Sequence, residues 1–294
     1  MPLQLHRLEA LPQVDLDFFK EQLDLKNEAE VKAHIARIAS KAYEIYSYRC
    51  IELFTFAQIK TGLYDRMGPS SAYQRALKLC SQRENALFLE FGTFFGTTLR
   101  KAVMDGVPVS RVIGSDLHSD FWELGHELFG TTPITFPAAF IAGDAFDSAF
   151  ISARGPVTTN DADMQKVPDL QSLTSLIPLQ GRISAIHASS VFHLFNEEKQ
   201  VDLARAIASL LSSQSGSLIF GVQLGQEVAG VREFVRRPTD QTMRFIHSPE
   251  SWKKLWDGNV FPAGSVQVEA KLVPINLKDT GVDGSILVWS CTVL

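Results

Sequence analysis

Cysteine is scarce in this chain: Cys50, Cys80 and Cys291 are the three in 294 residues, and no two form a C-x-x-C pair. So small and scattered a set points to neither a disulfide framework nor a zinc site, and buried thiols are expected. No H-E-x-x-H occurs, and His118 and His126 are separated by a stretch around Trp122 that reads as the start of a helix. Catalysis without a metal is the expectation. Long hydrophobic runs are missing too, since none approaches the roughly eighteen apolar residues that span a bilayer. The opening stretch MPLQLHRLEALPQVDLDFFKEQ contains no uninterrupted apolar segment. No membrane association and a cytoplasmic location are therefore expected.

There is no excess of positive charge. Lys and Arg number 28 against 33 Asp and Glu, a formal net charge of -5. Binding to nucleic acid needs a concentrated basic surface, so no nucleic-acid partner is expected and a small molecule is. Internal repeats and low-complexity tracts are also missing, while a 45% hydrophobic content over this length suffices for one large α/β domain with a sizeable core.

From Asp15 to about Leu79 apolar residues recur at helical spacing, as in Val31, Ile35, Ile38 and Ala39 and then Ile51, Phe54, Phe56 and Ile59. Beyond that segment, β-rich runs ending in Gly, Asp or Ser alternate with helix-like stretches, the pattern of a parallel sheet with crossover helices. The runs are Leu87 to Gly92, Arg111 to Leu117, Ala138 to Gly143, Arg182 to Ala188 and Ser217 to Leu224. Two later runs, from Val266 and from Ser285, are joined by a polar turn with Lys278, Asp279 and Gly281. That turn is too short for a crossover helix and suits an antiparallel hairpin. The expected fold is α/β: a Rossmann-like, mostly parallel seven-stranded sheet with a C-terminal antiparallel hairpin, helices on both faces and a helical N-terminal cap. Residues 1–84 form the cap or lid and 85–294 the sheet domain, with insertions near 152–180 and 226–264. Asn196 caps one helix, whose stripe is Leu203, Ile207, Leu210 and Leu211, with Gly216 at the following turn; Ser248 and Pro249 open another.

The strongest local signal is LFLEFGTFFGTTLRKAV, an apolar strand leading into Glu90-x-Gly92-x-x-x-Gly96 and a helix from about Thr97. Glycines there let backbone approach a ligand, and a helix N-terminus offers unpaired N–H groups. A carboxylate at Glu90 would repel a dinucleotide pyrophosphate but suits a cationic sulfonium carrying an ammonium group. The sign of charge favours S-adenosylmethionine over NAD. The second strand ends at Asp116 and Leu117, which places a carboxylate to accept ribose hydroxyls. The third ends in Gly143-Asp144-Ala145-Phe146, where Asp144 can accept from an adenine amino group and an aromatic can pack on the ring. Acids close three successive strands. The opposing reading takes the glycines as ordinary turns and the acids as solvated.

At these residues the sequence resembles the class I S-adenosylmethionine-dependent methyltransferases, from roughly Asn85 onward. The superfamily favours glycine where this chain has Phe94. SKAYEIYSYRCIELFTF, AIHASSVFHLFNEEKQ, GSLIFGVQLG and HSPESWKKLWDG look more narrowly like segments of fungal secondary-metabolite methyltransferases, including those of meroterpenoid intermediates. The resemblance implies transfer of a methyl group, as O-methylation of a carboxyl or hydroxyl on a small apolar terpenoid, meroterpenoid or polyketide, with S-adenosylmethionine as cofactor. It assigns Glu90, Gly92 and Gly96 to the methionine end of the cofactor, Asp116 to the ribose, Asp144 with Ala145 to the adenine, and His187 to the neighbourhood of the transferred methyl.

Methyl transfer mainly demands alignment, which can contribute about 7–11 kcal/mol. A hydroxyl acceptor also benefits from a base, and His193 is the first candidate with His187 the second, both in His187-Ala-Ser-Ser190-Val-Phe-His193 after the fourth strand. Alternatively these rings hydrogen-bond loop backbone without exchanging a proton. His247 either reaches the substrate or caps the helix at Ser248. Tyr43, Tyr46, Tyr48, Phe54 and Phe56 form either a lid over an apolar acceptor or plain core. Arg49 either pairs with a substrate carboxylate or makes a surface salt bridge. Ser190 is a further candidate contact, and a homodimer is allowed. Two rival functions differ in class: a nicotinamide-dependent oxidoreductase, whose G-x-G-x-x-G and Tyr-x-x-x-Lys are missing, and a methyltransferase-like binding protein without turnover, for which Phe94 is the hint.

Overall fold

A computed structural model describes residues 3–61, 71–156, 167–237, 240–277 and 282–294. Five apolar runs form parallel strands: β1 (Leu87–Phe91), β2 (Val112–Asp116), β3 (Ala139–Ala142), β4 (Ile183–His187) and β5 (Leu218–Gly225). β8 (Val266–Leu277) and β9 (Val282–Val293) complete the sheet as an antiparallel pair. The order is β3-β2-β1-β4-β5-β9-β8. Every residue of β1 and β4 is buried, which explains why those segments are continuously apolar rather than alternating. The chain runs outward from β1 to β3 and then returns beside β1 as β4. Topology therefore reverses between β1 and β4, and their carboxyl ends open a crevice.

The seven-stranded Rossmann-like sheet with its terminal hairpin is thus as expected. The turn residues Lys278, Asp279 and Gly281 lie outside the described residues, as does 157–166 of the first insertion. The second insertion holds more than a helix: β6 (Gly230–Arg237) and β7 (Asp240–Ile246) form a separate antiparallel ribbon. Alternation in this segment is blurred by four arginines, Arg232, Arg236, Arg237 and Arg244. α9 (Pro249–Trp256) follows with a full capping box between Ser248 and Ser251.

Helices cover both faces. On one, α8 (Glu197–Leu210), capped by the Asn196 side chain at Lys199 N, packs with α9 over a core containing Trp252, Trp256 and Trp289. On the other, α5 (Ala72–Gln82) and α6 (Thr97–Met104) contribute Tyr73, Cys80 and Leu99, and α7 (Ser119–Leu128) contributes Trp122. α5 packs on β1, β4 and β5. Helices α1 (Leu5–Glu9), α2 (Gln13–Gln22), α3 (Glu28–Ile45) and α4 (Arg49–Glu52) build a third core with Phe95, Phe121 and Phe129, so that α3 rests on α7 beside the crevice. Burying one such Phe or Leu contributes about 1.5–3 kcal/mol, which ties this layer to the loop between β1 and α6.

Candidate functional site

The β1–α6 loop folds across the end of β2. Gly92 and Thr93 both donate their backbone N–H to Ser115 O, at 2.8 and 3.0 Å. Gly96 caps α6 in the left-handed region, with φ +71°, and a Cβ there would strike the Trp122 ring 2.7 Å away. Both the backbone angle and the close packing demand glycine at this point.

Phe94 is also left-handed, with φ +53°. That conformation costs a residue with a side chain roughly 1–2 kcal/mol. Two contacts hold it. Its ring lies 3.8 Å from that of Phe95 and 4.6 Å from that of Phe121, with Tyr48 and Phe56 edge-on just beyond 6 Å. Its backbone N–H donates to Asp116 Oδ2 at 2.8 Å. Where the methyltransferase pattern favours glycine, this chain keeps the glycine-like backbone and turns the extra side chain into the N-terminal helices.

Asp116 is therefore a loop anchor, with Oδ1 accepting from His118 N at 3.1 Å as well. Burial raises its pKa above the ordinary carboxylate range, opposed by the hydrogen bonds from the His118 and Phe94 amides. An ionised carboxylate offers about four acceptor positions, more than these amides fill. Leu117 beside it is 57% exposed, and Asp144 is exposed at the end of β3 with Oδ1 accepting from Phe146 N at 2.9 Å. Ala145 and Phe146 are partly buried against the main core.

Glu90 lies deeper, 4% exposed. Its Oε2 accepts the Thr93 hydroxyl at 2.7 Å and the Leu99 amide at 3.0 Å, while its Oε1 faces His187 Nδ1 at 3.2 Å. On the far side, His187 Nε2 is 2.6 Å from Ser189 Oγ, which also receives the Val222 amide at 3.0 Å. The imidazole packs on Phe220, centroid to centroid 5.3 Å. Parallel pairing explains the meeting of acid and imidazole: Glu90 and His187 are register partners on β1 and β4.

The remaining candidates disperse. His193 sits in the short helix Phe192–Leu194, where Nδ1 accepts from Leu224 N at a long 3.5 Å. Desolvation, with Arg244 adding repulsion, lowers its pKa to about 3. That arrangement leaves the proton on Nε2 and makes the ring a weak base. Ser190, exposed and left-handed at φ +58°, donates its backbone N–H to Val222 O. Tyr46 stacks near Tyr48 and His118 and is 39% exposed. Two further candidates have partners within the chain. His247 is 4% exposed inside the Trp252 cluster, with Nδ1 2.8 Å from Ser251 Oγ, so it serves the helix start. Arg49 bridges Glu52 at 2.7 Å, three residues on, and Glu52 also accepts from the Tyr43 hydroxyl. Ser189 went unnoticed among the candidates, because only the fold shows which of two adjacent serines turns toward His187. Among the described residues no group of three or more His, Cys, Asp or Glu is placed to hold a metal, and no helix is long and apolar enough to cross a membrane.

Residues 4–57 match the family described as "Meroterpenoid methyltransferase N-terminal domain". Over those residues the chain is similar to that domain. Its boundaries take in α1 to α4, the helices into which Phe94 inserts. The chain is 31% identical over 222 residues to O-methyltransferase phiE of a fungal species, which covers 76% of this chain and 63% of that protein. It is 28% identical over 267 residues to Asnovolin E/Chermesin D methyltransferase nvfJ of Aspergillus novofumigatus, covering 90% and 83%. The chain thus spans just under two thirds of phiE's length. The resemblance to fungal secondary-metabolite methyltransferases is borne out by these relatives. Among solved structures, the DhpI–SAH complex aligns over 91% of this chain and 98% of its own at 12% identity, with a TM-score of 0.44.

Proposed function

We propose that this chain is an S-adenosylmethionine-dependent methyltransferase that methylates an oxygen of a small, apolar fungal secondary metabolite. The observation that carries the reading is the set of acids at the carboxyl ends of neighbouring parallel strands, Glu90 on β1, Asp116 on β2 and Asp144 beyond β3, around one glycine loop. The names of phiE and nvfJ agree with it. These residues fit the cofactor chemically. Glu90 would face its cationic end, Gly92 and Gly96 would let it approach the backbone, and Asp116 has acceptor positions left for ribose hydroxyls. Leu117, Asp144 and Ala145 would border the adenine. The bound cofactor supplies a methyl group on a good leaving group, so the protein's share is alignment and exclusion of water.

A cavity of about 500 Å³ beside Phe220 and Gly221 is a candidate place for the acceptor. Val268, Ala270 and Val288 give it an apolar lining, while Lys253, Lys271 and the Arg75–Glu269 ion pair supply charge. Phe220 is shared between this cavity and the face of His187. His187 is accordingly the candidate base, and burial suppresses the basicity of His193. The helices up to residue 57 act as a lid on the cofactor loop through Phe94, with residues 1–84 as the cap unit and a homodimer as one arrangement of the chain.

Calorimetric titration of the purified chain with S-adenosylmethionine, S-adenosylhomocysteine and NADPH tests the proposal. Micromolar binding of the two adenosyl ligands alone supports it. Binding of NADPH alone would move the chain to the oxidoreductases, and adenosyl binding with no turnover on any acceptor would favour a binding protein.

A further inference from the structure

The ribbon β6–β7 leaves the sheet at the carboxyl end of β5, the edge from which an open parallel sheet takes its ligands. Its root is fixed. The side-chain amide of Gln226, one residue beyond β5, donates to Gly230 O and to Ile246 O at 3.3 Å, and the Gln226 backbone N–H donates to His247 O at 3.1 Å. β7 is tied as well to the segment that follows β4. Phe245 N–H donates to Phe195 O at 3.1 Å, and Phe245 O accepts from the Gln200 side chain at 2.7 Å.

Strand alternation sorts the ribbon's side chains onto two faces. Arg232 and Arg244 are register partners and share one face with Phe234 and its partner Thr242, whereas Glu233 and Met243 pair on the other. On the first face the guanidinium carbons of Arg232 and Arg244 lie 5.9 and 4.8 Å from the centre of the Phe234 ring. Arg244 Nε donates to Thr242 Oγ1 at 3.2 Å, which orients its fork. The charge of Arg244 is felt at His193, so this face looks toward the segment after β4. Like charges opposite each other on a ladder repel whatever else each one touches, and a two-stranded ribbon has little stability to spare. The Phe234 ring face offsets part of that repulsion, and an anion between the two guanidinium groups converts it to attraction.

Resting on the methyltransferase reading, we propose that this face of the ribbon selects the acceptor: Arg232 and Arg244 pair with an oxyanion on it, and the Phe234 ring packs on its apolar body. Guanidinium suits the task, because its planar fork meets a carboxylate with two parallel hydrogen bonds, or an ionised enol or phenol with one from each arginine, and it stays charged at any working pH. Arg232 is exposed and Arg244 half-buried, so an apolar acceptor seated over them excludes water and strengthens both contacts. The pair takes no proton and acts by holding and selecting.

Two measurements test the assignment. Calorimetric titration of the full chain with 2-naphthoate and with 2-naphthamide reads recognition without cofactor or turnover. Wild type is expected to bind the acid at least about tenfold more tightly than the amide, and Arg232→Gln and Arg244→Gln should each remove most of that difference. Arg244→Lys keeps the charge but not the fork and should retain part of it. Equal affinity of the wild type for the two compounds, or binding of neither, overturns the inference. Transfer of labelled methyl from S-adenosylmethionine to a panel of apolar carboxylic acids, phenols and enols supplies the second measurement. For whichever class accepts the methyl, Arg232→Gln should raise the acceptor's KM about tenfold, with kcat and S-adenosylmethionine affinity within about twofold of wild type. A KM unmoved in Arg232→Gln but raised in Lys271→Gln would put the acceptor's anion in the cavity beside Phe220 and overturn the inference while leaving the methyltransferase intact. Failure of the wild type to bind S-adenosylmethionine strikes the parent reading, and the naphthoate titration then still decides whether the ribbon holds an oxyanion.

Discussion

The backbone N–H of Phe94 donates to the Asp116 carboxylate at 2.8 Å, joining the loop after β1 to the end of β2. This acid holds the loop in a left-handed turn, and under the proposed function it has a second duty toward the ribose.

The duties separate by substitution. Asp116→Asn keeps an oxygen for the Phe94 amide, whereas Asp116→Ala leaves two amides without their partner, at about 1–3 kcal/mol for a buried group. Urea unfolding should show Ala clearly less stable and Asn close to wild type. Calorimetry should show both binding S-adenosylmethionine about ten- to a hundredfold more weakly, since each loses a charge-assisted contact. Unchanged affinity in a folded Asn variant would confine Asp116 to the loop.

Phe94 invites the opposite comparison. Replacing it with glycine removes the left-handed strain, roughly 1–2 kcal/mol, but also deletes the ring that packs on Phe95 and Phe121. Alanine deletes the ring and keeps the strain. Phe94→Gly should therefore be about 1 kcal/mol more stable than Phe94→Ala, with both below wild type. Limited proteolysis should cut the helices before residue 57 faster in both variants. Equal stability of the two would mean that the backbone at Phe94 carries no strain.

These residues also mark how far the sequence could be read. The parallel strands were legible because buried strands are continuous apolar runs, and their acids were legible because they stand at strand ends. The departure at Phe94 was visible as a mismatch, but its resolution depends on α3 and α4 lying beside the loop, a long-range contact that no local pattern encodes. Ser189 was hidden for a similar reason, since the register of β1 against β4 brings Glu90 to His187 and rotates one serine of a pair inward. His247 reads the same in sequence whether it points at substrate or into core. The ribbon β6–β7 was missed because its arginines mask the alternation of Val231, Phe234 and Phe245.

Arg100 tests how much a buried charge matters here. It is 4% exposed, its guanidinium stacks on Phe136, Phe129 and Trp122 at 4.2, 4.8 and 5.4 Å, and desolvation lowers its pKa to about 10. Nη2 bonds the Thr131 hydroxyl at 3.0 Å, and Nε and Nη1 are buried without a hydrogen-bond partner. An apolar chain of similar length recovers the packing and removes the desolvation cost. Arg100→Met should thus lie within about 1.5 kcal/mol of wild type, while Arg100→Ala, which leaves a cavity among three rings, should lose about 3 kcal/mol. A Met variant as unstable as Ala would show that the positive charge itself, beside Glu90, is required.

Acid should weaken the fold through His247. Desolvation in the tryptophan core lowers its pKa from an ordinary 6.5 to about 4, and its Nε2 is buried without a partner. The unfolded chain begins to bind a proton on this ring below about 6.5, while the native ring stays neutral until about 4. Unfolding therefore takes up a proton in that window, and native stability decreases as the pH drops. The contribution is fully present above 6.5 and is lost as the pH falls toward 4, by up to about 1.4 kcal/mol for each pH unit. His247→Gln can keep the bond to Ser251 without titrating. Stability from urea unfolding, compared between pH 6 and pH 5, should fall less steeply in that variant by roughly 1 kcal/mol per unit. Parallel slopes would mean that the ring takes its proton inside the fold, and the acid sensitivity would have to come from another group.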